Sequence, residues 1–199
     1  MKPNTTDTPK LAPPGSGLPL IQRLALKLVI GPFVSKRVPP TKSRENYELL
    51  TRKIIEKVSK IPLELRSKKV LVSPIQGLED SSRYWSLNGT LEHLLIVSKQ
   101  MEPLILALAS GVVPPGEANI AKVKPKDAPE DQFELFQAYA PGLMARLDQA
   151  LLKPGMSLKS SAVFFHPWFG NLNAQQWYWL LASHQGIHYQ QIKKIISGL

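Results

Sequence analysis

The sequence predicts an all-α fold, a four-helix bundle, from three observations. Apolar residues recur every three or four positions in four long stretches, which is the helical period. Few segments alternate with period two, and no internal repeat is evident. Two of the helical stretches carry histidines: His93 on one, and His184 with His188, four residues apart, on another.

The 199 residues, of which 43% are hydrophobic, suit one domain with an extension. We read residues 1–40 as a basic N-terminal extension and residues 41–199 as the helical domain. There is no cysteine, which excludes thiolate ligands, a cysteine nucleophile and a disulfide framework. No uncharged apolar run reaches the roughly 18 residues of a membrane-spanning helix. The N-terminus lacks the basic start, apolar core and small-residue cleavage site of a signal peptide. The chain is therefore read as cytoplasmic.

The net charge of +10 is placed unevenly. Residues 1–70 hold 15 Lys and Arg against 5 Asp and Glu, whereas residues 71–199 hold 10 of each. All of the net charge thus belongs to the front third. Such asymmetry marks contact with anionic lipid or nucleic acid, or simply a solvated, solubilising face.

Residues 1–17 are rich in Pro, Thr, Gly and Ser and read as disordered. Residues 18–34, LPLIQRLALKLVIGPFV, place Leu20, Leu24 and Leu28 on one row with Arg23 and Lys27 between them. This predicts a short amphipathic helix ending near Gly31-Pro32. Such a helix can pack on the main domain, lie on a membrane surface or mediate association, and packing is the ordinary outcome. The first bundle helix is expected over about 43–60, with Tyr47, Leu50, Ile54 and Val58 in its stripe, Ser43 as N-cap and Pro62 beyond its end. Residues 63–84 read as a connecting loop with a short helical turn.

The second helix is expected over about 86–110, striped by Leu87, Leu91, Leu94, Met101, Ile105 and Leu108, with Pro103 inside it as a kink. The Pro- and Lys-rich segment 111–129 is longer than antiparallel neighbours need, so it predicts a crossover to a parallel neighbour. The third helix covers about 130–152 and is interrupted at Pro141-Gly142. After a loop, the fourth opens at Asn173, with Gln176 completing a capping-box variant, and ends at Gly198.

On the fourth helix Trp177, Leu181, His184, His188, Gln191 and Ile195 step by three and four, so both histidines fall in the core-facing row. Buried imidazole nitrogens need partners. A divalent ion supplies one for each ring, and Gln191, Ser183 or Gln185 can supply the other. Core histidines bonded to carbonyls are the competing reading. His93, from a second apolar helix, makes a three-His site with open positions, the layout of a catalytic rather than a structural metal. HQGIH is no zincin motif, because Gln185 cannot act as the general base. Glu92 points about 100° away from His93 on its helix, which leaves Glu134, Asp148 and Tyr189 as candidate bases. His166, in HPWFG, reads as a loop residue packed under Trp168 rather than a ligand.

WSLNGTLEHLL resembles the second-helix motif of the DinB/YfiT-like superfamily, in which a Trp-Ser start leads to a helix with one metal-binding His. HPWFGNLNAQQWYWLLASHQGIHYQQI resembles the last-helix motif of an uncharacterised branch of that superfamily. The similarity covers residues 43–199 and is strongest at 85–101 and 166–192. It implies a bundle in up-down-down-up order and metal ligands His93, His184 and His188 around a divalent ion such as zinc, nickel or iron. It also implies a small-molecule substrate such as a low-molecular-weight thiol, and a homodimer. Members with known chemistry include thiol transferases and a thiol-dependent isomerase. Two features depart from the pattern: Ile187 stands where many relatives carry a further His, and the basic extension has no counterpart.

These readings converge on a metal-dependent thiol transferase or hydrolase. The alternative is a non-enzymatic protein stabilised by its metal and docked on anionic membrane through the basic N-terminal region. Nucleic-acid binding is disfavoured, because no zinc-finger, homeodomain or RNA-recognition signature is present and the charge lies apart from the aromatic-rich C-terminal third.

Overall fold

The computed structural model describes residues 9–128 and 130–199. Among them the chain is mostly helical, with two short antiparallel strand pairs and no barrel. The helices are α1 (Leu20–Ala25), α2 (Pro40–Ser59), α3 (Leu87–Ala109), α4 (Gln132–Tyr139), α5 (Leu143–Leu151) and α6 (Ala174–Ser197). None of the described helices is long and apolar enough to cross a membrane.

Local chemistry explains most of the boundaries. The Ser86 hydroxyl accepts the Gly89 N–H at 2.9 Å and opens α3. Asn173 and Gln176 form a reciprocal capping box that starts α6. Between α4 and α5 the chain tightens into a 3₁₀ turn over Ala140–Gly142, where Pro141 cannot donate. One expected cap is corrected. The first bundle helix, α2, begins at Pro40, not Ser43, because proline at the first helical position lacks only an N–H that would be orphaned anyway. Ser43 lies buried inside the helix.

The long helices pack on one another in pairs. Gln185 of α6 donates to Thr51 of α2 at 3.1 Å, and Asp148 of α5 accepts from Arg44 of α2 and Tyr178 of α6. On the far side, Arg146 of α5 reaches Glu102 of α3. Two apolar clusters result. One gathers Tyr47, Met101, Ile105, Leu143, Met144, Trp177 and Leu181. The other gathers Ile54, Val58, Leu87, Leu91, Phe133, Phe136, Ile192 and Ile195. His93, His184 and His188 sit between them along α3 and α6.

Three stretches depart from the sequence expectation. The loop before α6 contains a hairpin, β3 (Val163–His166) with β4 (Gly170–Asn173), pairing His166 with Gly170. The 63–84 segment holds the expected helical turn, Leu63–Arg66, and adds β1 (Val70–Leu71), which pairs with β2 (Tyr84–Trp85). The front helix does not stop at Gly31-Pro32. It continues as a π-helix over Leu26–Val34, with Ser35 N–H bonded to the carbonyl of Ile30.

The expected stripe of the front helix also faces the wrong way: Leu20, Leu24 and Leu28 are exposed. The inward row is Gln22, Leu26 and Ile30, of which Leu26 and Ile30 pack against the core. Nor is the preceding chain loose where it is described. Residues 1–8 lie outside the described residues, but Gly15 and Gly17 donate their N–H groups to Glu79, and Ala12 donates to Asp80.

Candidate metal centre

The three histidines predicted from α3 and α6 come together. His184 and His188 project from one face of α6 because they are four residues apart. His93 arrives from α3. The Nε2 atom of His184 lies 3.0 Å from Nε2 of His93 and 3.1 Å from Nε2 of His188. One ligand atom from each ring falls within 4.8 Å of the others, so the group could hold a metal ion.

The outer ring nitrogens define the tautomers. His93 Nδ1 lies 2.6 Å from the Val123 carbonyl, which can only accept, so that nitrogen carries the proton. His188 Nδ1 lies 2.7 Å from Gln191 Oε1. The Gln191 amide is oriented by its own donation to the Ser82 carbonyl at 2.7 Å, so His188 Nδ1 is also protonated. Both rings therefore aim Nε2 lone pairs at His184. One imidazole has at most one proton to offer there and cannot satisfy both. A divalent cation satisfies all three nitrogens. Two nitrogens each about 2.1 Å from a shared ion, at roughly 95–110°, are about 3.1–3.4 Å apart, close to the separations found. A neutral all-imidazole set suits zinc, nickel or iron.

Burial keeps the rings neutral, the form that can ligate. It pushes His93 down to about 4, with the Lys124 charge adding to the effect and the Val123 carbonyl opposing it. It holds His184 and His188 well below their ordinary value, and neighbouring imidazoles push the same way. Trp85 closes one side of the cluster, its ring parallel to His188 with centroids 6.0 Å apart.

The cluster borders a cavity of about 840 Å³. Its walls are largely apolar and include Leu26, Met101, Leu104, Phe164, Trp168, Phe169 and Trp177. Residues 114–120 and 122–124 of the long connection form another wall. The connection is fastened to α3 twice, by Val123 on His93 and by the Glu92 carboxylate, which accepts the Lys126 and Ala128 N–H groups. Glu92 thus faces away from the histidine cluster, as helix geometry predicts, and anchors the long connection instead.

The other sequence candidates separate clearly. Of the proposed partners for the outer ring nitrogens, Gln191 takes that place, while Gln185 turns to Thr51. None of the three candidate bases lines the cavity: Asp148 is engaged by Arg44 and Tyr178, Glu134 is exposed, and Tyr189 packs beneath Lys193. The carboxylates that do line it are Glu79 and Glu117. Glu79 was invisible in the sequence because it sits in an aperiodic loop. Burial alone would raise its carboxyl, but bonds from Lys124, Ser81 and Gly17 hold it below the ordinary range. Gly77 lets this loop approach α6. Its φ is +81°, and a Cβ there would lie 2.9 Å from Ile187.

His166 stays outside the three-histidine cluster, and its ring packs among Trp168, Phe169 and Trp177. Yet it lines the same cavity. Trp168 N–H donates to its Nδ1 at 3.1 Å, which leaves its proton on Nε2. Burial pushes His166 down to about 4. The unfolded chain therefore takes up this proton first, and stability present above pH 6.5 is lost as pH falls toward 4, by roughly 2–3 kcal/mol at pH 4.5. Urea unfolding at pH 7 and 4.5 should show a smaller acid loss in His166→Gln than in the native chain. Equal losses would show that this ring is not buried neutral.

No protein-family profile, curated protein or solved structure matches the chain. The functional reading therefore rests on the site itself and on the motif resemblance.

Proposed function

We propose that this is a DinB-like metal-binding protein. Its three-His site holds one divalent ion (zinc, nickel or iron) and serves a metal-dependent thiol transferase or hydrolase. The observation that carries the reading is the convergence of three Nε2 atoms whose two outer rings are already oriented from behind. An ion held by His93, His184 and His188 with positions left open supplies a Lewis acid that lowers the pKa of a thiol or water brought to it. The Val123 carbonyl and Gln191 fix the ring orientations and raise the basicity of the ligating nitrogens. The apolar cavity walls take the unreactive part of a small-molecule substrate. His166, with its proton on Nε2, offers a hydrogen-bond donor among otherwise apolar neighbours.

A four-helix bundle in up-down-down-up order goes with this reading, α4 and α5 acting as one broken helix. It is supported by which parts of the helices meet. Thr51 of α2 meets Gln185 of α6, and the ends of both border one surface groove, as parallel helices require. His93 meets His188 on α6, while Met101, further along α3, lines the cavity with the earlier Trp177, as antiparallel helices require.

Metal content by mass spectrometry tests the reading. The purified chain should carry about one ion, and the His184→Ala, His188→Ala double variant should carry none. Full occupancy in the variant, or none in the native chain after incubation with zinc or nickel, would overturn it.

A further inference from the structure

The outer face of the front helix is apolar where solvent should demand polar residues. Leu20, Ile21, Leu24, Leu28, Val29 and Phe33 are exposed by 68, 82, 47, 60, 52 and 56%. The opposite side of the same helix is already occupied, with Leu26 and Ile30 packed on the core. A helix that is apolar on both faces needs something other than water against the free one. Nothing among the described residues covers it.

The charge on this segment says what does. No Asp or Glu occurs from residue 8 to residue 44, whereas Arg23, Lys27, Lys36 and Arg37 lie exposed on or beside the helix. A second copy of the chain is a poor occupant. A two-fold interface brings the same patch of each subunit together, so four cations would meet four cations with no acid from residues 8–44 between them. An anionic lipid surface supplies both the apolar layer for the leucines and the counter-charge for the cations. We infer that the outer face of residues 20–33 docks in the plane of an anionic membrane surface. The helix spans nothing.

A second observation points the same way. Leu26, on the inner side of this helix, lines the cavity beside the histidines. Pro114 and Pro115 line that cavity too, and the two residues before them, Val112 and Val113, are exposed by 58 and 54%. Exposed apolar side chains thus come from two separate segments that wall the same cavity. This inference does not depend on the metal: docking uses residues that do not touch the histidine cluster.

Co-sedimentation of the full chain with vesicles tests it. Phosphatidylcholine vesicles containing about one-third phosphatidylserine should bind the chain about tenfold or more better than phosphatidylcholine alone, and high salt should weaken the binding. The triple variant Ile21→Asp, Leu24→Asp, Leu28→Asp should bind about tenfold or more weaker. These positions are exposed, so the variant should keep its helical circular dichroism and its metal content. Arg23→Gln with Lys27→Gln should weaken binding to anionic vesicles alone. Three results would overturn the inference: no binding by the native chain, binding that survives the triple aspartate change, or gel filtration showing a dimer that the triple variant dissolves without any vesicle binding.

Discussion

Zinc or nickel at a thousandfold excess over its dissociation constant should raise the unfolding free energy of the chain by about 4 kcal/mol, and His184→Ala should abolish that gain. The same substitution should cost the metal-free chain less than about 1 kcal/mol. The asymmetry follows from the protons. Val123 and Gln191 hold the protons of His93 and His188 on Nδ1, so both Nε2 atoms face His184 as acceptors. His184 cannot donate to both. One of the two short contacts, 3.0 or 3.1 Å, therefore sets lone pair against lone pair in the metal-free protein. Removing the ring relieves that conflict and leaves two nitrogens beside a cavity that water can enter. With metal present, the same deletion removes a third of the protein's ligands. Urea unfolding of both chains with and without metal decides the matter. A metal-induced gain that persists in His184→Ala would place the ion elsewhere.

Glu79→Ala should destabilise the chain by about 3–5 kcal/mol, the range for removing one partner of a buried charge pair. The Glu79 side chain is 2% exposed and its partner Lys124 14%. The same carboxylate accepts from Gly15, Gly17 and Ser81. Losing it strands a largely buried ammonium and three donors. It also frees the start of the described chain and loosens the residue next to Val123, whose carbonyl positions His93. Adding Lys124→Met to Glu79→Ala should restore part of the loss, because the stranded charge is the larger component. Chemical denaturation of the single and double variants checks this. A loss below about 1 kcal/mol in Glu79→Ala would show that water reaches Lys124 and that the pair is merely superficial.

Several parts of this arrangement are legible in the chain because they obey local rules. Asn173 with Gln176 is a capping pair three residues apart, closed within one turn. His184 and His188 share a helix face by spacing alone. The buried stripe of α3, from Leu87 to Leu108, follows the helical period and is buried throughout. Other features depend on distant partners. The strand pair at Val163–His166 looks like loop because its alternation spans only four residues. The front helix misled for a related reason. Its apolar residues occupy both faces, so periodicity alone cannot say which face meets the core, and Leu26 and Ile30 went inward in place of Leu20 and Leu24.

The sequence by itself determined the helical class, the Asn173 capping box, the charge asymmetry and the three imidazoles on two apolar helices, because each depends on residues within a few turns of one another. Only the tertiary structure decided that Val123 and Gln191 hold the outer ring nitrogens, that Glu79 and Lys124 lock the neighbouring loop, that His166 faces the same cavity, and that the front helix turns an apolar face to the outside. Those contacts join residues 30 to more than 60 positions apart, apart from His188 with Gln191. Long-range pairing of that kind is set by how helices pack and by which buried polar groups must find partners, and no local period records it.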